Sequence, residues 1–183
     1  MVQDWGGPIG LSLAGRRPER IRRLVIGNTF AWPLEGEIRI RLFSWLMGGP
    51  VGRLLTWAFN FVPRFFFSRG LHSRVSTEVL QAYLAPWQQR ARRTAAVIAP
   101  RQLIRASEYL REVESGLPRL IDRPTLIVWG TRDFAFGPQE RQRFKRLFPH
   151  HHTVLFDRAS HFLQEDAGDE IATEIRKWAD ETQ

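Results

Sequence analysis

The alternation of hydrophobic and polar residues changes character along the chain. Near the start, the apolar spacing from Gly6 to Ala14 predicts a helix, and the run from Ile21 to Ile26 predicts a short buried strand that stops at Gly27-Asn28-Thr29. The residues before Gly6 are expected to end another strand. Strand, helix and strand within so short a stretch predict a parallel, right-handed unit.

The middle of the chain has the spacing typical of helices. Between Trp32 and Leu117 apolar residues recur at intervals of three and four, and pairs such as Val62-Pro63 and Ala99-Pro100 are expected to interrupt the helices. The stretch is rich in aromatic residues, which is typical of a helical core and also of a lid over an apolar pocket. The predicted helices lie within Ile38–Met47, Leu54–Phe61, Thr77–Tyr83 and Leu103–Val113.

The strand and helix rhythm resumes at Pro124. Buried strands are predicted at Thr125–Gly130 and Thr153–Asp157, and helices at Pro138–Phe148 and Asp169–Trp178. The whole pattern predicts an α/β fold in which a parallel sheet is interrupted by an all-helical insert. Residues 1–31 and 118–183 are expected to form the α/β core, and residues 32–117 the insert.

An acidic residue stands at the first predicted turn from strand to helix. The sequence Val2-Gln3-Asp4-Trp5-Gly6-Gly7 is typical of the nucleophile elbow of α/β-hydrolases, which raises one side chain above the sheet. With Asp4 in place of serine, the covalent intermediate would be an alkyl ester, which suits displacement at saturated carbon better than acyl transfer. The alternative is that Asp4 only caps the following helix.

Two further residues follow predicted strands in the order that this fold requires. Asp133 comes after Thr125–Gly130, and His161 comes after Thr153–Asp157. The carboxyl ends of parallel strands meet at one edge of a sheet, where ligands bind. Each residue alone is also typical of an ordinary turn or surface loop. Their order and strand context favour a nucleophile, an acid and a histidine that act together.

Composition narrows the possible partners. The net charge is +8 and arginine dominates the basic residues, but no nucleic-acid-binding motif accompanies them, so we interpret the arginine clusters, Arg90 to Arg93 among them, as solvated helix faces. The absence of cysteine excludes disulfides and thiolate zinc sites. His150-His151-His152 is expected in an exposed loop that binds no metal. No charged and apolar leader or spanning segment is recognised, which predicts a cytoplasmic protein without a membrane partner.

Four motifs resemble those of haloalkane dehalogenases over essentially the whole chain, which corresponds to the C-terminal part of that family. The resemblance implies an α/β-hydrolase fold with a helical cap, a small apolar halogenated substrate, water as cosubstrate, and neither metal nor organic cofactor. The motifs are Gln3-Asp4-Trp5-Gly6-Gly7-Pro8, Gly27-Asn28-Thr29 with Trp32-Pro33, Trp129-Gly130 through Asp133-Phe134, and His161-Phe162-Leu163-Gln164-Glu165-Asp166.

The resemblance also implies a role for each site residue. Asp4 would be the nucleophile, His161 the base that activates water, and Asp133 the acid that orients the histidine. The indole N–H of Trp5 would help to hold the departing halide. Members of the family carry the acid after either the sixth or the seventh strand. Because the sixth-strand position here is Asn28, Asp133 is the expected acid.

The sequence allows alternatives for the halide-binding residues and for the activity. A second halide-holding residue is not identified, and the candidates are Trp32, Trp45, Trp57 and Trp87. Epoxide hydrolases share the fold and the aspartate nucleophile, and use two cap tyrosines, for which Tyr83 and Tyr109 are available; Gln3 before Asp4 favours a dehalogenase. A non-catalytic remnant is the third reading, since strands expected before Asp4 are missing. We therefore expect the isolated chain to be inactive or nearly so.

Overall fold

The computed structural model describes residues 1–182 and contains one parallel sheet of four strands. The strands follow one another across the sheet in chain order, so each is joined to the next by a crossover that contains helices. All six residues of the third strand are buried, as expected for a parallel strand covered on both faces. The strands are β1 (Val2–Asp4), β2 (Leu24–Thr29), β3 (Thr125–Gly130) and β4 (His151–Phe156).

Ten α-helices accompany the sheet within the described residues. They are α1 (Gly6–Arg16), α2 (Ile38–Gly48), α3 (Pro50–Phe59), α4 (Phe61–Gly70), α5 (Thr77–Leu84), α6 (Thr94–Arg105), α7 (Ser107–Gly116), α8 (Pro138–Leu147), α9 (Leu163–Asp166) and α10 (Gly168–Glu181). Short 3-10 helices lie at Pro18–Arg20, Ala85–Trp87, Arg90–Arg93 and Leu117–Leu120. None of the helices in residues 1–182 is long and apolar enough to cross a bilayer.

The chain divides into two compact units. The sheet unit contains Met1–Trp32, Gly70–Ser73 and the chain from Glu112 onward, and the helical unit contains Pro33–Arg69 and Arg74–Arg111. The four residues of Gly70–Ser73 therefore belong to the sheet unit although both flanking segments belong to the helical unit.

The core of the sheet unit lies on both faces of β3. On one face Leu126 and Val128 pack with Leu163, Ile171 and Trp178. Trp129 points to the other face, where the ring of Phe144 lies 6.4 Å away, and Phe144 in turn packs against Trp32 at 4.7 Å. The guanidinium of Arg143 covers the Trp32 ring at 4.3 Å. Trp32 is thus a core residue.

A buried arginine holds the helical unit together. The guanidinium of Arg93 donates hydrogen bonds to the carbonyl oxygens of Trp57 (2.7 Å), Ala58 (3.0 Å), Trp87 (2.6 Å) and Gln88 (3.0 Å). A buried charge is tolerated when its donors are satisfied in this way. The interpretation of this arginine cluster as a solvated face is therefore wrong for Arg93.

The predicted strand at Thr125–Gly130 is confirmed, whereas the one at Ile21–Ile26 is displaced. β2 begins at Leu24 and continues through Gly27, Asn28 and Thr29, where the sequence predicted a stop. Gly27 pairs with Val128 within the sheet. Its position is crowded, because a Cβ there would lie 2.9 Å from the Leu163 side chain. Glycine thus marks a close approach here and not a turn.

The helix boundaries differ from the predictions where proline or a break was misread. Pro63 lies in the first turn of α4, whose N–H groups have no partner within the helix, and Pro100 lies inside α6. The predicted helix Leu103–Val113 is divided at Ala106 between α6 and α7. The short helix α9 was not predicted. β4 begins at His151, so His151 and His152 lie in a strand and point to opposite faces.

Candidate active site

The turn from β1 to α1 places Asp4 in a conformation that few residues adopt. Asp4 has a φ of 47°, in the left-handed region, where strain is typical of functional turns. The hydroxyl of Thr29 donates to the Asp4 carbonyl at 2.5 Å and fixes the turn from the neighbouring strand. Gly7 permits the close approach, since a Cβ there would lie 2.8 Å from the Phe30 carbonyl oxygen.

Asp133 is held in the loop after β3 by three hydrogen-bond donors. Its side chain is fully buried. One carboxylate oxygen accepts from the backbone N–H of Ala135 at 2.7 Å, and the other accepts from the side-chain amide of Asn28 at 2.7 Å and lies 3.0 Å from His161 Nδ1. A buried carboxylate with partners on both oxygens has a fixed orientation.

His161 lies between the two carboxylates. Its Nδ1 is 3.0 Å from Asp133, and its Nε2 is 4.0 Å from the nearer carboxylate oxygen of Asp4. The backbone of the histidine is held as well, because the side-chain amide of Gln3 donates to the His161 carbonyl. Since ionised Asp133 can only accept, Nδ1 carries the proton, and the lone pair of the neutral ring lies on Nε2, on the side of Asp4.

The two carboxylates change the pKa of His161. Burial of the ring disfavours the imidazolium, but the hydrogen bond to Asp133 and the negative charges of Asp133 and Asp4 outweigh it and raise the pKa above its ordinary value. The two carboxylates thus stabilise the imidazolium that forms when His161 accepts a proton as a general base.

The pKa of Asp4 is also raised. Removal of water by the surrounding protein is the main cause, and the nearby charge of Asp133 adds to it, while His161 and the backbone N–H of Trp5 act in the opposite direction. The Asp4 side chain is nevertheless 40% exposed to solvent. It is therefore the accessible member of the set, with less solvation than a surface carboxylate.

Aromatic rings pack against His161 and Trp5. The ring centroids of Phe134 and Phe136 each lie 5.9 Å from that of His161. Phe30 stacks on Phe136 at 5.3 Å and meets the edge of Trp5 at 5.2 Å. These contacts form a continuous apolar wall from Trp5 to His161. Such a wall excludes water and favours an apolar ligand.

The structure brings all four predicted site residues into the sheet unit: Asp4, Trp5, Asp133 and His161. Of the tryptophans considered as halide donors, Trp32 packs in the core and Trp45 is 73% exposed. The ring of Trp57 lies under Arg90, and the Trp87 carbonyl accepts from Arg93.

Sequence reasoning did not identify the supporting contacts of Asn28, Thr29 and Gln3. For Asn28 there was a signal, namely a polar residue directly after a predicted strand. The hydroxyl of Thr29 and the amide of Gln3 bind residues that are distant in sequence, and no local sequence pattern predicts such contacts.

The match to a known family agrees with this arrangement. The model of the alpha/beta hydrolase fold family matches residues 1–168, and the chain therefore belongs to that family. Within it, the resemblance to haloalkane dehalogenases is confirmed by similarity to curated proteins. The chain is 35% identical over 177 residues to haloalkane dehalogenase 2 of Mycobacterium bovis, covering 96% of this chain and 62% of the relative.

A second activity is found among the relatives. The chain is 32% identical over 190 residues to cis-3-alkyl-4-alkyloxetan-2-one decarboxylase of Shewanella oneidensis, covering 100% of this chain and 60% of that protein. The chain thus spans about three fifths of the length of these curated relatives.

Solved structures show the same fold. The crystal structure of haloalkane dehalogenase DbeA from Bradyrhizobium elkani superposes with a TM-score of 0.82 at 23% identity, covering 98% of this chain and 66% of that one. Haloalkane dehalogenase DatA from Agrobacterium tumefaciens gives 0.83 at 19% identity, with 99% and 65% covered.

Proposed function

We propose that this site hydrolyses small haloalkanes to alcohols through an ester of Asp4. The observation that carries the proposal is the placement of His161, with Nδ1 3.0 Å from Asp133 and Nε2 4.0 Å from Asp4, beside an aromatic wall. Similarity to haloalkane dehalogenases supports the choice of a carbon–halogen bond as the target.

In the first step a carboxylate oxygen of Asp4 attacks the halogen-bearing carbon in line. The new carbon–oxygen bond forms as the carbon–halogen bond breaks, and the halide leaves with the electron pair. The indole N–H of Trp5 would donate to the departing halide. The partial desolvation that raises the pKa of Asp4 favours this step, since a carboxylate with less water around it is a stronger nucleophile.

In the second step His161 Nε2 takes a proton from water, and the resulting hydroxide attacks the carboxyl carbon of the ester. The backbone N–H of Trp5, the residue after the nucleophile, would stabilise the oxyanion. Collapse of the tetrahedral intermediate releases the alcohol and regenerates the Asp4 carboxylate. Asp133 holds the tautomer of His161 and stabilises the imidazolium until its proton is lost to solvent.

The helical unit, which makes up most of the insert predicted at residues 32–117, is proposed to act as a cap that selects the substrate. Its support is that Pro33–Arg69 and Arg74–Arg111 form a compact helical unit of their own. The aromatic cluster of this unit contains Phe43, Phe65 and Phe66, whose ring centroids lie 5.9 to 6.4 Å from one another.

The direct test offers three substrates to the purified chain. Bromide release from 1-bromobutane, diol formation from styrene oxide and carbon dioxide release from a cis-dialkyl β-lactone are measured side by side. We expect bromide release, abolished in Asp4→Asn, which keeps the shape of the side chain and removes its negative charge. Preferential diol formation would instead support an epoxide hydrolase, and preferential decarboxylation would assign the activity of the Shewanella oneidensis relative.

The rate is a separate part of the proposal. We propose that the chain by itself turns over slowly, because the one oxyanion donor assigned among the described residues is the Trp5 N–H, whereas hydrolases of this fold use two such donors. Loss of one such donor costs roughly 10²- to 10³-fold in kcat. Turnover equal to that of the full-length relative on the same bromoalkane would contradict this expectation.

A further inference from the structure

A carboxylate outside the proposed triad holds the loop that carries His161. Asp166, the last residue of α9, accepts the backbone N–H of Ser160 at 2.8 Å. It also accepts the backbone N–H groups of His72, 3.0 Å from each oxygen, and of Ser73 at 2.7 Å. Three backbone donors from two separate segments of the sheet unit therefore converge on one side chain.

The residue on the other side of His161 is held by the same segment. The backbone N–H of Phe162 donates to the Gly70 carbonyl at 2.9 Å. Gly70 lies close against the loop, because a Cβ there would be 2.7 Å from the Phe162 ring and 3.2 Å from the His161 Cβ. Asp166 fixes Gly70–Ser73, and Gly70–Ser73 then supports the histidine loop.

A third link joins this loop to the loop that carries the acid. The Ser160 hydroxyl donates to the Arg132 carbonyl at 3.1 Å, and the Arg132 N–H donates to the Ala159 carbonyl at 3.1 Å. Since Arg132 precedes Asp133, a shift of Ser160 would disturb the alignment of His161 and Asp133. The Asp166 carboxylate accepts these hydrogen bonds from backbone N–H groups, so it acts on the loop through the backbone.

We propose that Asp166 is a positioning residue, which fixes His161 for its role as general base by binding Ser160 and the Gly70–Ser73 segment together. The inference rests on the proposed function, because it assigns His161 to the hydrolysis of the Asp4 ester. His161 acts in that second step only. Loss of the positioning contact should therefore slow ester hydrolysis and leave formation of the ester almost unchanged.

The main variant is Asp166→Asn, which keeps the shape but replaces one acceptor oxygen with a donor that opposes the backbone N–H groups. In single-turnover reactions with 1-bromobutane we expect ester hydrolysis to fall by about tenfold to a hundredfold, the scale of a misplaced catalytic group, with the first halide released within about twofold of the wild-type rate. The alkylated enzyme should then accumulate. Equal slowing of both steps, or of neither, would overturn the proposal.

A spectroscopic arm does not depend on activity. The backbone N–H groups of Ser160, His72 and Ser73 donate to Asp166 in the unaltered chain, so their exchange with solvent reports directly on this contact. In Asp166→Asn these amides should exchange with solvent at least about tenfold faster, and the His161 Nδ1–H signal should broaden. Unchanged exchange and an unchanged Nδ1–H signal in the variant would refute the inference.

Asp169→Asn is the matched control, because this exposed carboxylate lies three residues away at the start of α10. It should leave both steps and the three amides unchanged; the same effects in this variant would contradict a role specific to Asp166. Failure of the chain to form any ester would count against the proposed function alone, since the amide measurements would still decide the role of Asp166.

Discussion

His161 is almost fully enclosed by protein and yet has a raised pKa, because the hydrogen bond and charge of Asp133 and the charge of Asp4 outweigh the effect of burial. In the proposed mechanism this has a consequence for the direction of pH dependence. The histidine accepts a proton only when it is neutral, and a raised pKa extends the range in which it is already protonated.

In the unreacted chain the pKa of His161 should lie above the ordinary histidine value of 6.5, and ester hydrolysis should be lost toward acid pH as the ring is protonated. The pKa is measured by NMR titration of the His161 ring in the unreacted chain, where Asp4 is a carboxylate, because esterified Asp4 no longer contributes its charge. Asp133→Asn removes the carboxylate that raises the pKa, so the pKa should fall and the maximum rate of ester hydrolysis should fall with it. A wild-type pKa below about 6 in the unreacted chain would contradict the geometry described for His161.

At this scale the sequence was informative about side chains that follow strands. Asp4, Asp133 and His161 could be singled out because each stands after a predicted strand and in the required order. Their supporting partners could not be predicted from the sequence. Asn28 and Gln3 bind residues that lie 105 and 158 positions away, and Asp166 binds the Gly70–Ser73 segment. Hydrophobic periodicity carries no information about such distant contacts.

The ends of β2 and β3 are joined by the side chain of Asn28. Its carbonyl oxygen accepts from the Gly130 N–H at 2.8 Å, and its amide donates to the Gly130 carbonyl at 3.1 Å as well as to Asp133. The side chain continues the ladder past the point where backbone pairing stops. The φ of 28° at Asn28 allows this placement.

Asn28→Ala should thus destabilise the chain by about 2 to 4 kcal/mol, because it leaves buried donors and acceptors of Gly130 and Asp133 without this partner. The measurement is the free energy of unfolding from urea titration. Asn28→Asp is the informative companion: it places a carboxylate beside Asp133 and should be more destabilising at neutral pH than in mild acid. A loss below about 0.5 kcal/mol in Asn28→Ala would show that the bridge contributes little.

The start of α1 offers a matched pair of glycines. A Cβ on Gly7 would meet the Phe30 carbonyl at 2.8 Å and Thr29 Cβ at 2.9 Å, whereas a Cβ on Gly6 would meet nothing within 4 Å. Gly7→Ala should lower the unfolding free energy by about 1 to 3 kcal/mol through overpacking, and Gly6→Ala should change it by less than about 1 kcal/mol. Equal effects in thermal or urea unfolding would contradict the close packing of the elbow.

The elements themselves were predictable where hydrophobicity was continuous and isolated. The bounds of β3 were predicted correctly because six apolar or small residues follow Pro124 and are followed by polar residues. The prediction for β2 ended too early because Gly27-Asn28-Thr29 has the local composition of a turn. The hydrogen bonds of Asn28 to Gly130 and Asp133 keep this segment in the sheet. The break at Ala106 was invisible since apolar spacing continues on both sides.

At the scale of the whole molecule, charge is divided unevenly. The helical unit holds 12 arginines against 4 glutamates, so it carries the entire excess of +8, and the sheet unit with the candidate site is balanced. Composition predicted the sum but could not assign it before the units were known. The raised pKa values at the site therefore arise from local carboxylates and burial, as the causes for Asp4 and His161 indicate.

The proposed mechanism requires Asp4 to act as a nucleophile that forms an ester and His161 to act as the base for hydrolysis of that ester. Intact-mass spectrometry of His161→Gln after exposure to 1-bromobutane tests both directly. Glutamine can still donate to Asp133, which spares the buried carboxylate, but it cannot act as the base.

We expect the variant to gain the mass of one butyl group and keep it after the bromoalkane is removed, with the label on Asp4 after peptide mapping. The unaltered chain should lose any such label by hydrolysis, and His161→Gln combined with Asp4→Asn should gain nothing. No mass gain in His161→Gln, or a label on any residue other than Asp4, would contradict the proposed mechanism.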